Sequence, residues 1–122
     1  MTDKELMKFA AIAIGDWNER WNENWQTEEF DPWRSPDGWF YWNPLKTYSD
    51  AFDLFVLLEM NSIFVTDNED PFVNFSAWHG DDFIDIYETI IESDVHSAAM
   101  RAIVRVASEI AMKKAYNEKI DA

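Results

Sequence analysis

Apolar residues recur along this 122-residue chain with periods that change from segment to segment, and each change marks an element. Thr2 with Glu5 fits a capping box, and Leu6, Phe9, Ala10 and Ala13 then recur at helical spacing. The pattern predicts a helix from about Asp3 to Ile14, stopped by Gly15. Trp17, Trp21 and Trp25 follow at intervals of four, which puts three indoles on one side of either a helix or a strand. Residues 30–38 hold two prolines and Asp37-Gly38 and predict a loop. Trp39 to Trp42 predicts a short aromatic strand, ended by Asn43-Pro44. Thr47 or Ser49 then caps a second helix running to about Met60. Its apolar residues (Ala51, Phe52, Leu54, Phe55, Val56, Leu57, Leu58, Met60) almost encircle it, which predicts a helix sandwiched between other elements.

Ser62 to Thr66 reads as a strand, Asp67 to Asp70 as a turn, and Phe72 to Trp78 as the hairpin partner. Phe83, Ile86, Tyr87 and Ile90 fit a helix, whereas the β-branched and aromatic content of residues 83–91 fits a third strand, the reading adopted here. Ser93-Asp94 caps a long final helix to about Tyr116, with Val95, Ala99, Ala102, Ile103, Val106 and Ile110 as its buried stripe. Arg101, Arg105 and Glu109 line another side, and Lys113 and Lys114 suit a helix C-terminus. The predicted class is α+β: one domain over residues 1–122, with a small antiparallel sheet of three to four strands packed with helices. The expected order is helix, strand, helix, two or three strands, helix.

Composition changes this picture mainly through charge. Between Thr47 and Met100 there are twelve carboxylates and no lysine or arginine, in a chain whose net charge is −14. The flanks are milder: residues 1–46 hold nine acids and five bases, and residues 101–122 hold three acids and five bases. So concentrated a field repels nucleic acid and anionic membranes and attracts proteins that bind them. An apolar content of 48% points to a folded chain rather than an acidic disordered tail. The absence of cysteine removes disulfides and thiolate chemistry, which suits a reducing cytoplasm. No apolar run reaches the ~18 residues of a membrane span, and the first residues lack a basic segment before an apolar one. A cytoplasmic location without membrane attachment is expected.

Several stretches resemble small uncharacterised proteins of tailed bacteriophages and prophages, of the NinX-like, phage ABA sandwich type. Met1 to Leu6 with Ala10-Ala11 resembles their first helix. Trp42-Asn43-Pro44-Leu45, followed by Asp50-Ala51 and Leu54, resembles their Trp-Asn-Pro-Leu motif leading into an Asp-Ala-x-x-Leu helix. Ala98 to Arg105, continued by Ala107 to Ile110, is similar to their C-terminal helix, which a strand precedes. That order adds to the strand reading of residues 83–91. The resemblance implies a fold, a phage origin and a site of action in the cytoplasm of the infected or lysogenic host. It implies no catalytic residues. It does not extend to residues 16–38 or 67–92, where most of the tryptophans and most of the acidic excess lie.

The acidic centre reads most simply as a solvated surface that aids solubility. The sharper reading is that carboxylates gathered on one outward side stand in for the phosphates of a duplex. Like charges this dense destabilise the compact state, and 54 residues without lysine are unusual for solubility alone. Asp67, Glu69, Asp70, Asp81, Asp82, Asp85 and Glu88 are the candidate partner-binding residues, accepting hydrogen bonds from a target's arginines and lysines. A second candidate surface is the tryptophan-rich tract of residues 17–42, chiefly Trp17, Trp21, Trp25 and Trp33, although core packing explains most such clusters.

His79-Gly80-Asp81-Asp82 lacks the ligand spacing of a metal site and reads as a turn. Residues 67–70 fail the EF-hand pattern, and His96 reads as a surface residue. No nucleophile elbow and no glycine-rich phosphate loop is present. The sequence therefore predicts no enzyme, metal or cofactor and no direct contact with nucleic acid. It predicts a phage accessory protein that binds and inhibits a host nucleic-acid-handling protein. The alternatives are a module docking through its tryptophans and a homo-oligomeric protein without inhibitory role.

Overall fold

The computed structural model describes residues 1–15, 33–34 and 41–121. Helix α1 (Asp3–Ala13) begins where the sequence predicts, because the Thr2 side chain accepts the Glu5 amide at 3.1 Å. The Thr2 hydroxyl in turn donates to Glu5 Oε1 at 3.1 Å. Gly15, at φ +79°, takes the left-handed conformation that follows the helix end. Leu6, Met7, Ala10 and Ala11 form the buried face.

Residues 33–34, expected to be loop, form strand β1 (Trp33–Arg34), paired antiparallel with β2 (Tyr41–Trp42). The paired dipeptides themselves contain no proline, so no ladder donor is missing from them. Trp39 and Phe40 of the predicted strand lie outside the described residues, as do Trp17, Trp21 and Trp25.

Helix α2 (Tyr48–Leu57) ends in a Schellman arrangement: the Met60 amide bonds the Phe55 carbonyl at 3.0 Å and the Glu59 amide bonds the Val56 carbonyl at 3.2 Å. Only Ala51 and Leu54 of this helix are buried, while Phe52, Val56 and Leu57 are more than half exposed. The expectation of a sandwiched α2 is thus corrected. The enclosed helix is α3 (Val95–Asp121), which packs against α1, α2 and strands β4 and β5. Its alanines let these neighbours approach: Ala102, Val104, Val106 and Ala107 are all fully buried. At roughly 1.5 Å per residue α3 spans about 40 Å and is the axis of the fold. It also runs five residues beyond the expected end at Tyr116.

Strands β3 (Asn61–Val65), β4 (Phe72–His79) and β5 (Asp82–Thr89) form one antiparallel sheet in the order β3-β4-β5. Residues 83–89 are therefore strand, and the architecture is α+β, a small sheet packed with helices. Ile90 is buried past the end of β5, its amide bonded to the Pro71 carbonyl. Gly80 and Asp81 join β4 to β5, with Gly80 at φ +62°, which suits a two-residue hairpin turn with glycine first. The core lies between this sheet and the helices. Leu54, Val73, Ile84, Val104 and Val106 are its most buried large residues, each worth about 1.5–3 kcal/mol of apolar transfer.

Candidate functional site: the open face of the sheet

Paired residues of neighbouring strands share a face, so the register sorts the sheet into two sides. Val73, Phe75 and Ala77 lie with Ile84, Ile86 and Glu88 on the side against the helices, and the five apolar residues among them are all buried. Phe72, Asn74, Ser76 and Trp78 lie with Ile63, Phe83, Asp85, Tyr87 and Thr89 on the other side. There Ile63 is 56% exposed, Trp78 65%, Phe83 49% and Tyr87 58%. The aromatics group in two pairs, Trp78 with Phe83 at 4.9 Å between ring centroids and Phe72 with Tyr87 at 5.6 Å. Apolar area of this kind, rimmed by polar residues, is the usual mark of an interaction surface.

The polar centre of the face is fixed. Asn74 is buried, and its amide donates to Asp85 Oδ1 at 2.6 Å and to the Ile86 carbonyl at 3.1 Å. Ser76, opposite Asp85 in the register, is buried beside it.

The seven carboxylates read from the sequence do not gather on one side. Asp67, Glu69 and Asp70 are exposed in the β3–β4 connection, whereas Asp81 and Asp82 are exposed at the β4–β5 turn. These are opposite ends of eight-residue strands, roughly 24 Å apart at about 3.4 Å per residue. Asp85 stands on the open face, and Glu88 points the other way, ion-paired with Arg105 at 2.9 Å. Two successive hairpins enforce this division, because their turns fall at opposite ends of β4 and side chains alternate between faces. Two further acids of the central tract are also engaged. Asp50 Oδ2 accepts the Asn43 amide at 2.8 Å, and Asp94 caps α3 through the Ser97 amide at 3.0 Å and hydroxyl at 2.7 Å. Those two bonds from Ser97 hold the Asp94 carboxyl below its ordinary range, aided by nearby His96 and opposed by desolvation.

Of the alternative tryptophans, Trp33 lies in β1 opposite Trp42, and Trp17, Trp21 and Trp25 lie outside the described residues. His79 sits opposite Asp82 beside the turn, and His96 stacks obliquely on Tyr48 at 4.9 Å between centroids. Among the described residues no group of three or more His, Cys, Asp or Glu is placed to hold a metal ion. No described helix is long and apolar enough to cross a membrane.

Ile63, Phe72, Trp78, Phe83 and Tyr87 were not singled out from sequence as site residues. A signal did exist: β5 carries large apolar residues at both parities, Phe83 and Tyr87 on one face and Ile84 and Ile86 on the other. Among the described residues, only the second pair is covered by helices.

No family model matches this chain, and neither a curated protein nor a solved structure matches it.

Proposed function

We propose that this protein is a non-enzymatic binding module that docks a basic protein surface on the open face of its three-stranded sheet. One observation carries the reading: Ile63, Trp78, Phe83 and Tyr87 stand exposed on a single face whose two ends carry carboxylates. Aromatics supply burial at the centre of an interface, and charges at its rim steer and select the partner. Basic surfaces of this kind belong above all to proteins that handle nucleic acid. The finer reading is a phage-encoded inhibitor of such a host protein. It rests on the resemblance of Trp42 to Leu45 and of Ala98 to Ile110 to phage proteins, together with the net charge of −14.

The test is capture of host proteins on the immobilised chain at low and high ionic strength, with Ile63→Asp and Tyr87→Asp variants alongside. We expect the retained proteins to be basic, to be released by salt or by duplex DNA, and to be lost with either variant. Retention unaffected by both substitutions would remove the reading.

A further inference from the structure

We propose that the turn end of the open face is an arginine-reading site, in which a partner's guanidinium lies on the Trp78–Phe83 pair and is bridged by Asp85 and Ser76. The inference rests on the docking role of that face and names the chemistry it recognises. Trp78 and Phe83 are cross-strand partners with ring centroids 4.9 Å apart and planes tilted by 43°, so they form a shallow aromatic trough rather than a closed stack. Trp78 is 65% exposed, which leaves an indole face open to a cation.

Asp85 lies one pair further along the same face, a diagonal neighbour of Trp78 at about 7–8 Å between backbones. The buried Asn74 amide holds its Oδ1 at 2.6 Å, while Oδ2 accepts no hydrogen bond among the described residues. The carboxylate is thus positioned in advance with one oxygen to spare. Ser76, opposite Asp85, is 7% exposed, and its hydroxyl makes no hydrogen bond among the described residues. A buried hydroxyl without a partner is costly, and a donor arriving from the face would satisfy it.

A guanidinium matches these features better than an ammonium. It is planar, weakly hydrated and stacks on aromatic rings, and its fork reaches two acceptors at once. A second copy of this chain does not fit. Either two-fold arrangement that stacks two such faces brings acids against acids: like ends meet, or Asp81 and Asp82 meet Asp67, Glu69 and Asp70. A neutral sugar would use the aromatic trough and donate hydroxyls to Asp85, but it would gain no charge attraction from the carboxylates.

The test is NMR titration of the full chain with capped hexa-arginine, hexa-lysine and maltohexaose. Trp78→Ala, Asp85→Asn, Ser76→Ala and Asp70→Asn are compared after thermal melts confirm each is folded. Hexa-arginine is expected to shift the Trp78 indole and the amides of residues 76, 83 and 85, with hexa-lysine severalfold weaker. Trp78→Ala should weaken binding about three- to fivefold and Asp85→Asn about fivefold or more. Asp70→Asn removes the same charge at the other end and should cost less than about twofold. Equal losses for Asp70→Asn and Asp85→Asn, equal binding of the two peptides, or binding of maltohexaose alone would overturn the arginine site. If the site fails in that way while Tyr87→Asp still abolishes capture of basic proteins, the docking reading survives it. If capture also survives both Tyr87→Asp and Ile63→Asp, both fall.

Discussion

Asp50 shows how one side chain can belong to the charge of a protein and not to its surface. It stands in the first turn of α2, yet its carboxylate turns back to the Asn43 amide, in a segment where Trp42, Asn43 and Pro44 are all buried. Asn43 Oδ1 meanwhile accepts the Leu45 amide at 3.1 Å, and its carbonyl accepts the amides of Lys46 and Thr47. The Trp-Asn-Pro-Leu stretch is therefore a folded joint that leads into α2, with Asp50 as its clasp. Asp50→Ala leaves a buried N–H without that acceptor and should cost about 1–3 kcal/mol in denaturant unfolding. Asp94 makes a second case, with a sign that can be checked. Its folded pKa lies below the ordinary 3.8, so its capping bonds stabilise the fold above that value. Their contribution fades as pH falls from about 3.8 through the lower folded value. Asp94→Asn keeps a capping side chain but cannot titrate. Hydrogen exchange at the start of α3 should then lose part of its acid dependence, and an unchanged acid limb would count against the cap.

At the scale of elements, α2 and α3 show what the hydrophobic pattern reveals and what it hides. Pattern places both helices, because the Asp94 cap of α3 and the apolar spacings are local properties, although Thr47, expected to cap α2, makes no side-chain capping bond there. It assigns the surroundings of α2 wrongly, whereas Ala102, Ile103, Val106 and Ile110 of the stripe expected on α3 are buried. The more apolar helix, α2, keeps Phe52, Val56 and Leu57 in the open, while α3 is buried beyond the expected stripe, at Ala98, Val104, Ala107 and Ala111 as well. Partner choice depends on which faces meet in space, and period does not encode that. The same limit explains the site. Alternation along β4 and β5 was legible, but which face the helices cover was not. Two substitutions separate the faces of α2: Leu54→Ala should cost about 2–5 kcal/mol, and Phe52→Ala about 0.5 kcal/mol or less. The end of α2 offers a gain instead. Glu59 holds φ +52° at the position where a Schellman motif favours glycine, so Glu59→Gly should stabilise the protein by about 1 kcal/mol, read as a raised melting temperature.

At the scale of the whole molecule, the described residues form a sheet with helices on one side and an aromatic face on the other, carrying acids at both of its ends. This arrangement changes what the net charge of −14 implies. Instead of an unbroken acidic row, it presents an apolar centre between two charged ends about a strand length apart. Binding on such a face should weaken with salt through its rim yet depend on its aromatics for residence. The most direct measurement is hydroxyl-radical footprinting of the chain alone and with a captured basic partner. Trp78, Phe83 and Tyr87 should label strongly in the free protein and become protected in the complex, while Phe52 and Leu57 keep their labelling. Weak labelling of the three in the free protein, or protection that falls on Phe52 and Leu57 instead, would contradict the assignment of the open face as the docking surface.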